Sequence, residues 1–330
     1  MMSKWNWCYR LSALAVVLVA TLSLSPVQAQ TPTPSALGLT VSPVIDEFAV
    51  SPGQSSLRTI KIINPVHDIL TLYPIAYNFT TDNQEGKPTF YTDQERSSTY
   101  SLASWVTFSK PFIRIAPGEK EDFQITVNAP SNAEAGGHYG AILFSTEKPE
   151  VNVNTNQVSV VGLIGTLLLA TVPGDIHQNL TIEDFSGPTF LVSQPANFSL
   201  LFSNTGNIHL KPSGDIKIKN WFGNLDTTLA VNQNNGNILP QSKRHFDAQW
   251  TYNWKAVGQY TASATITYGT PEQQLTVMRH FYIIPVWFIV TLAILILILI
   301  GWVIRRKRRG RGAVQSVPVP TPQRPRYVMR

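Results

Sequence analysis

The 22 residues from Ile283 to Ile304, IIPVWFIVTLAILILILIGWVI, contain no charged side chain. A helix of that length at about 1.5 Å per residue matches a hydrocarbon core of about 30 Å. Trp287 and Trp302 stand near opposite ends, where amphipathic rings favour the headgroup level, and Pro285 falls at the start, where a missing N–H is tolerated. Directly after the run come Arg305, Arg306, Lys307, Arg308 and Arg309. Such a block is costly to translocate, so the sequence predicts one membrane-spanning helix with its basic end in the cytoplasm. Everything upstream then lies outside.

The N-terminus agrees with that orientation. Lys4 and Arg10 precede the apolar run Leu11 to Leu24, and Val27-Gln28-Ala29 offers a cleavage site, so residues 1–29 read as a secretory signal. Cleavage would discard Cys8, the chain's single cysteine, and a disulfide-free exterior must then be held by buried apolar surface. The formal charge of +6 is unevenly placed: of 26 Lys and Arg, two lie in the signal and nine after Ile304, while all 20 acidic residues lie between. The exterior is therefore acidic. The basic cluster is juxtamembrane, suited to anionic lipid heads, and nucleic acid is not an expected partner.

Residues 30–36 form a Pro/Thr linker. Beyond them, short β-branched and aromatic runs alternate with Pro, Gly and Asn, and no long segment keeps a 3.6-residue period. The reading is all-β, with strands at Leu57–Ile63, Leu70–Phe79, Phe112–Ile115, Asp122–Asn128, Tyr139–Ser145 and Val158–Val172. The last, with Gly162 and Gly165 inside it, is too short to span a membrane and fits a core strand. The two halves rhyme. Asn64-Pro65 and Asn204-Thr205-Gly206-Asn207 each end an apolar strand, Pro117-Gly118 matches Pro240, and Gly137-His138-Tyr139 matches Gly258-Gln259-Tyr260. Two tandem immunoglobulin-like β-sandwiches, 37–174 and 175–282, followed by the helix 283–304 and the basic, Pro-rich tail 305–330, are the simplest architecture. Tyr139 and Tyr260 resemble tyrosine corners, whose phenols bond to upstream main chain.

No catalytic set is visible: the sequence lacks HExxH, GxSxG, a phosphate loop and any retained cysteine, and its histidines are scattered singly. Ser145-Thr146-Glu147-Lys148 matches SxxK only in isolation, and the acidic turns at Asp82–Gly86 and Asp93–Glu95 fit no complete calcium loop. No enzyme activity, metal or cofactor is expected. Binding candidates are Phe90, Tyr91 and Tyr100 in the polar excursion Thr80–Ser104, and Glu150, Asn152 and Asn154 in the hairpin Glu147–Gln157. Aromatics there could stack on sugars or cap a core; Trp105, Trp221, Trp250 and Trp254 read as core.

Val41-Ser42-Pro43, Pro52-Gly53-Gln54, Ile63-Asn64-Pro65, Ala103-Ser104-Trp105-Val106, Ala116-Pro117-Gly118-Glu119 and the run Ala133 to Ala141 occur in that order. Together they make residues 37–172 resemble the bacterial WxL-interacting proteins, whose N-terminal domain is described as peptidoglycan-binding. The layout of signal, two β domains, helix and basic tail is similar; the second domain is shorter than that family's. The resemblance implies a non-catalytic surface protein holding wall glycan or surface proteins, including WxL-type proteins. With no Trp-x-Leu of its own, the chain would be the anchor. An adhesin or receptor-like sensor is the alternative, and a hydrolase a third.

Overall fold

The computed structural model describes residues 38–81, 83–96, 98–148 and 163–310, with side chains to 307. The signal-type segment, Glu150, Asn152 and Asn154, and the tail beyond 310 lie outside the described residues.

The first sandwich packs two sheets. One orders β1 (Thr40–Ser42), β3 (Ser55–Ile63), β8 (Lys120–Asn128) and β6 (Val106–Phe108). The other orders β2 (Ile45–Ala49), β10 (Ile164–Val172), β9 (Gly136–Ser145), β4 (Leu70–Thr80) and β5 (Thr89–Tyr91), with β7 (Ile113–Ile115) also on β4. Alternation decides what faces inward: Phe123, Ile125 and Val127 of β8 and Ile60 and Ile62 of β3 are buried, while their neighbours point to solvent. Phe123 meets Phe144 of the opposite sheet edge-on at 5.7 Å.

β9 departs from alternation, being buried along nearly its whole length. Its even-numbered residues face the opposite sheet. Tyr139, Ala141 and Leu143 face outward, where Tyr77, Phe79, Leu169 and Leu239 join them in a second apolar cluster, with Phe90 and Tyr100 packed against it. The excursion between β4 and β6 thus roofs the outer face of this sheet.

The second sandwich opposes β11 (Leu180–Ser186), β13 (Ala196–Asn204) and β16 (Ser242–Trp250) to β12 (Phe190–Leu191), β18 (Gln273–Ile283), β17 (Gly258–Tyr268), β14 (Ser213–Asn220) and β15 (Leu225–Val231). Its core is aromatic: Phe198, Phe202, Trp250, Tyr260 and Phe281 fill the space between the sheets. Both sandwiches begin alike, with a first strand antiparallel to the second sheet partner and a continuation parallel to the last strand: β1 on β3 then β2 on β10, β11 on β13 then β12 on β18.

A repeated polar lock closes the strand after that. Asn64 and Asn204 are both fully buried at strand ends. Asn64 donates from Nδ2 to the Asp68 and Ile115 carbonyls at 2.8 and 3.0 Å and accepts the Val66 N–H. Asn204 donates to the Ile208 and Ile238 carbonyls at 2.8 and 2.9 Å and accepts the Gly206 N–H. The main-chain carbonyl of each accepts an N–H from a left-handed residue, Gly118 (φ 74°) or Gln241 (φ 56°). These are the residues after Pro117 and Pro240. The proline rhyme marks a conformation that glycine adopts freely and glutamine adopts under constraint.

The helix α1 spans Val286–Gly310 and starts three residues after the apolar run does, because Ile283 is still the last ladder residue of β18, opposite Gly258; it continues past Ile304 into the basic block. It is long and apolar enough to cross a membrane, and none of its apolar window is buried within the protein. The Arg306 guanidinium lies 5.3 Å from the Trp302 ring. Arg305 and Lys307 are exposed beside it.

Candidate functional site

The loops of the second sandwich that follow its buried asparagine turn toward the first. Asn207 is the centre of this seam: the Gly137 N–H donates to its carbonyl at 2.8 Å, and its Nδ2 reaches the carbonyls of Asp175 at 2.8 Å and Ala135 at 3.2 Å. Leu239 enters the outer apolar cluster of the first sandwich. Glu47 accepts from Lys211 Nζ at 2.6 Å and Asn237 Nδ2 at 2.9 Å. On the other flank, the His245 N–H donates to the Gln84 carbonyl at 2.7 Å.

Tyr139 lies inside this seam. It is buried, and its hydroxyl meets His209 Nδ1 at 3.3 Å, with the two rings edge-to-face at 5.8 Å. The tyrosine-corner expectation fails here, because the phenol points out of its own sandwich, where the next one has placed a histidine. Burial pushes the Tyr139 phenol well above its ordinary range. Burial also pushes His209 below its usual value, against the pull of the Glu47 charge. For Glu47 itself burial acts upward, yet the bonds from Lys211 and Asn237 and the nearby positive charges hold the carboxyl lower than usual. Tyr260, by contrast, stays within its own sandwich between Trp250 and Phe281. Its phenol is pushed up to about 12, first by burial and then by Asp226, with the Val257 main chain opposing.

Between the sandwiches, beside Tyr139, opens a cleft of about 410 Å³. Thr80, Thr81, Asn83, Gln84, Tyr91, Ser98 and Tyr100 form one wall; Pro240, Gln241, Ser242 and Lys243 form the other. A shallower hollow of about 510 Å³ continues past Tyr100 and Gln241 to His177, Asn179 and Asn207. The lining is mostly hydroxyl and amide with aromatic faces. Arg96 lies 5.4 Å over the Tyr91 ring, and Lys243 is paired with Glu183 at 2.7 Å.

The sequence candidates are therefore divided. Tyr91 and Tyr100 reach the cleft, whereas Phe90 is half-buried against Tyr77 and Phe79, at 6.4 Å from each, and supports the roof. The cleft's other wall was missed, since Leu239 to Lys243 lie far away in sequence and look like an ordinary turn. Asp93 of the acidic turns is engaged by Asn78 Nδ2 at 2.6 Å, and among the described residues no three His, Cys, Asp or Glu converge as a metal site. Ser145 ends β9, its hydroxyl accepting the Glu147 N–H at 3.0 Å.

Of the four tryptophans expected in the core, Trp250 is buried and Trp105 is half-buried against His138, with ring centroids 4.3 Å apart. Trp221 and Trp254 are corrections: both are 68% exposed, because each sits at a loop tip beyond the last strand pairing.

No family model matches the sequence, and no curated protein matches it. Solved structures share its chain path at low scores. A chain of the chaperone–tip adhesin complex of CFA/I fimbriae biogenesis is 14% identical over 73% of this chain and 98% of that one, TM-score 0.37. The E. coli chaperone DraB is 12% identical over 72% and 97%, TM-score 0.34. The PapD-like domain 7 of human CEP192 is 11% identical over 47% and 98%, TM-score 0.27. At these scores nothing about partners passes from those proteins to this chain.

Proposed function

We propose that the chain is a non-catalytic, single-pass surface protein of the cell membrane. In this reading α1 holds both sandwiches outside, the basic tail lies in the cytoplasm, and the cleft between the sandwiches binds peptidoglycan or a surface protein. The observation that carries the reading is the cleft itself: the half-buried Tyr100 stands among hydroxyl and amide groups, with Arg96 over the buried Tyr91 ring and Lys243 at the margin, a lining suited to sugar rings and their hydroxyls. Orientation rests on the signal-type N-terminus and the arginine-rich block, which agree independently. The resemblance of residues 37–172 to WxL-interacting proteins favours wall glycan over a soluble ligand.

The test is cosedimentation of the full chain in nanodiscs with purified peptidoglycan sacculi, alongside saturation binding to surface-protein extract. Sacculus binding should be weakened by Tyr100→Ala and changed little between low and physiological salt, since screening acts on long-range charge and the exterior is acidic. Saturable binding to extract alone would assign the cleft to a protein partner. No binding to either would reject the scaffold reading.

A further inference from the structure

Strand register fixes which loops of the second sandwich share the end from which α1 leaves. Gly258 and Leu191 both stand opposite Ile283, Asn220 opposite Tyr260, and Ala196 opposite Trp250. The segments 187–195, 221–224 and 251–257 therefore all lie at that end. Their tips are apolar and exposed: Val192 at 52%, Trp221 at 68%, Phe222 at 73% and Trp254 at 68%. Across all three segments Lys255 is the one charged residue. The nearest acidic strand residue, Asp226, is drawn toward Tyr260. The opposite end of the same sandwich carries Lys211 and Glu272 and faces the first sandwich.

The tips are also tied to the helix. Trp287, in the first turn of α1, donates from Nε1 to the Trp254 carbonyl at 2.9 Å, and the two indoles meet edge-to-face at 6.3 Å. Ile284 donates its N–H to the Leu191 carbonyl at 2.7 Å, so the junction is hydrogen-bonded to the sandwich. Loop 251–257 thus sits level with the start of the apolar span. Four large apolar side chains held at that end in water would leave their apolar surface exposed next to a bilayer. Trp and Phe with a single Lys, whose stem can lie along apolar surface while its ammonium reaches phosphate, match the composition of the interfacial layer.

We propose that the helix-proximal end of the second sandwich is seated in the lipid headgroup layer through Val192, Trp221, Phe222 and Trp254, so that the bilayer itself is the partner of this surface. The proposal rests on the reading of α1 as a membrane span, and the experiment separates the two. The full chain, with Cys8→Ser to remove its one cysteine, is reconstituted in phosphatidylcholine/phosphatidylglycerol vesicles with a nitroxide at Phe222→Cys, Val192→Cys, Glu272→Cys or Leu297→Cys. Relaxation by oxygen, which partitions into lipid, is compared with relaxation by a water-soluble nickel chelate. Labels at 222 and 192 should favour oxygen, as 297 does, while 272 favours nickel. Adding Trp221→Ser with Trp254→Ser should move the label at 192 toward the behaviour of 272. If 222 and 192 behave like 272 while 297 stays in lipid, the seat is rejected and the anchor stands. If 297 is aqueous, the anchor and the seat both fail. Dipolar broadening at 222 that survives dilution with lipid would show a second copy covering the patch and would overturn the proposal.

Discussion

In the first sandwich the tyrosine of the next-to-last strand, Tyr139, crosses to a histidine of its neighbour, while in the second the corresponding Tyr260 remains among its own aromatics. The strands are equivalent, and the same asparagine lock precedes each. What differs is what lies outside the sheet. The first sandwich has an excursion and a second sandwich packed on its outer face, giving β9 two buried sides and its phenol a distant partner. The second has α1 at one end and the seam at the other, so its tyrosine has only the interior to face. An equivalent residue acquires a role from the far side of its strand, which local sequence does not contain.

The shared part of the comparison carries the largest expected effect. Asn64→Ala and Asn204→Ala should each destabilise by about 3 kcal/mol, since each removes three bonds of a fully buried side chain and strands main-chain groups of the following turn. Chemical unfolding of the full chain in nanodiscs, followed by intrinsic fluorescence, reads both. If one variant is tolerated, the two locks are not equivalent and the symmetry between the sandwiches is broken.

The tyrosines come next. Tyr260→Phe should lose about 1 kcal/mol, the net value of one hydrogen bond, and Tyr139→Phe no more, given its 3.3 Å contact. A double-mutant cycle with His209→Gln sharpens the contrast: coupling is expected for Tyr139→Phe and none for Tyr260→Phe. Equal coupling for both would remove Tyr139 from the seam.

The smallest effect is on pH dependence. His209 has a folded pKa below its ordinary 6.5, so the fold favours the neutral ring; Tyr139, Glu47 and Lys211 are the titratable groups around it. Its contribution is complete above the unfolded value and is lost as pH falls through the folded one. Glu47, also lowered, loses its share only at still lower pH, below its ordinary 4.5. Stability should therefore decline below about pH 6.5. His209→Gln should flatten that part of the profile, and an unaltered profile would exclude this histidine as its source.

Much of the fold was legible because it depends on local periodicity. The alternation Phe123, Ile125, Val127 located β8, the uncharged run located the start of α1 to within three residues, and the proline rhyme located two left-handed turns. The cleft was half legible. Tyr91 and Tyr100 stood out as aromatics in a polar excursion, but the wall from Pro240 to Lys243 exists only through packing of one sandwich on the other. Trp221 and Trp254 were misread for a related reason. Aromatics in β domains usually bury area, and nothing near either residue announces that its loop lies at the end from which α1 leaves. That fact comes from pairing Asn220 with Tyr260 and Gly258 with Ile283.

Only Ile284 and Pro285 separate β18 from α1, and Ile284 is itself bonded to β12. A pull on the cleft, resisted at α1, would run along β18. Its hydrogen bonds to β17 and β12 lie across that direction and would be sheared together rather than peeled one by one. The junction should behave as a stiff tether, with tension and torque passing between the second sandwich and α1 with little slack to absorb them.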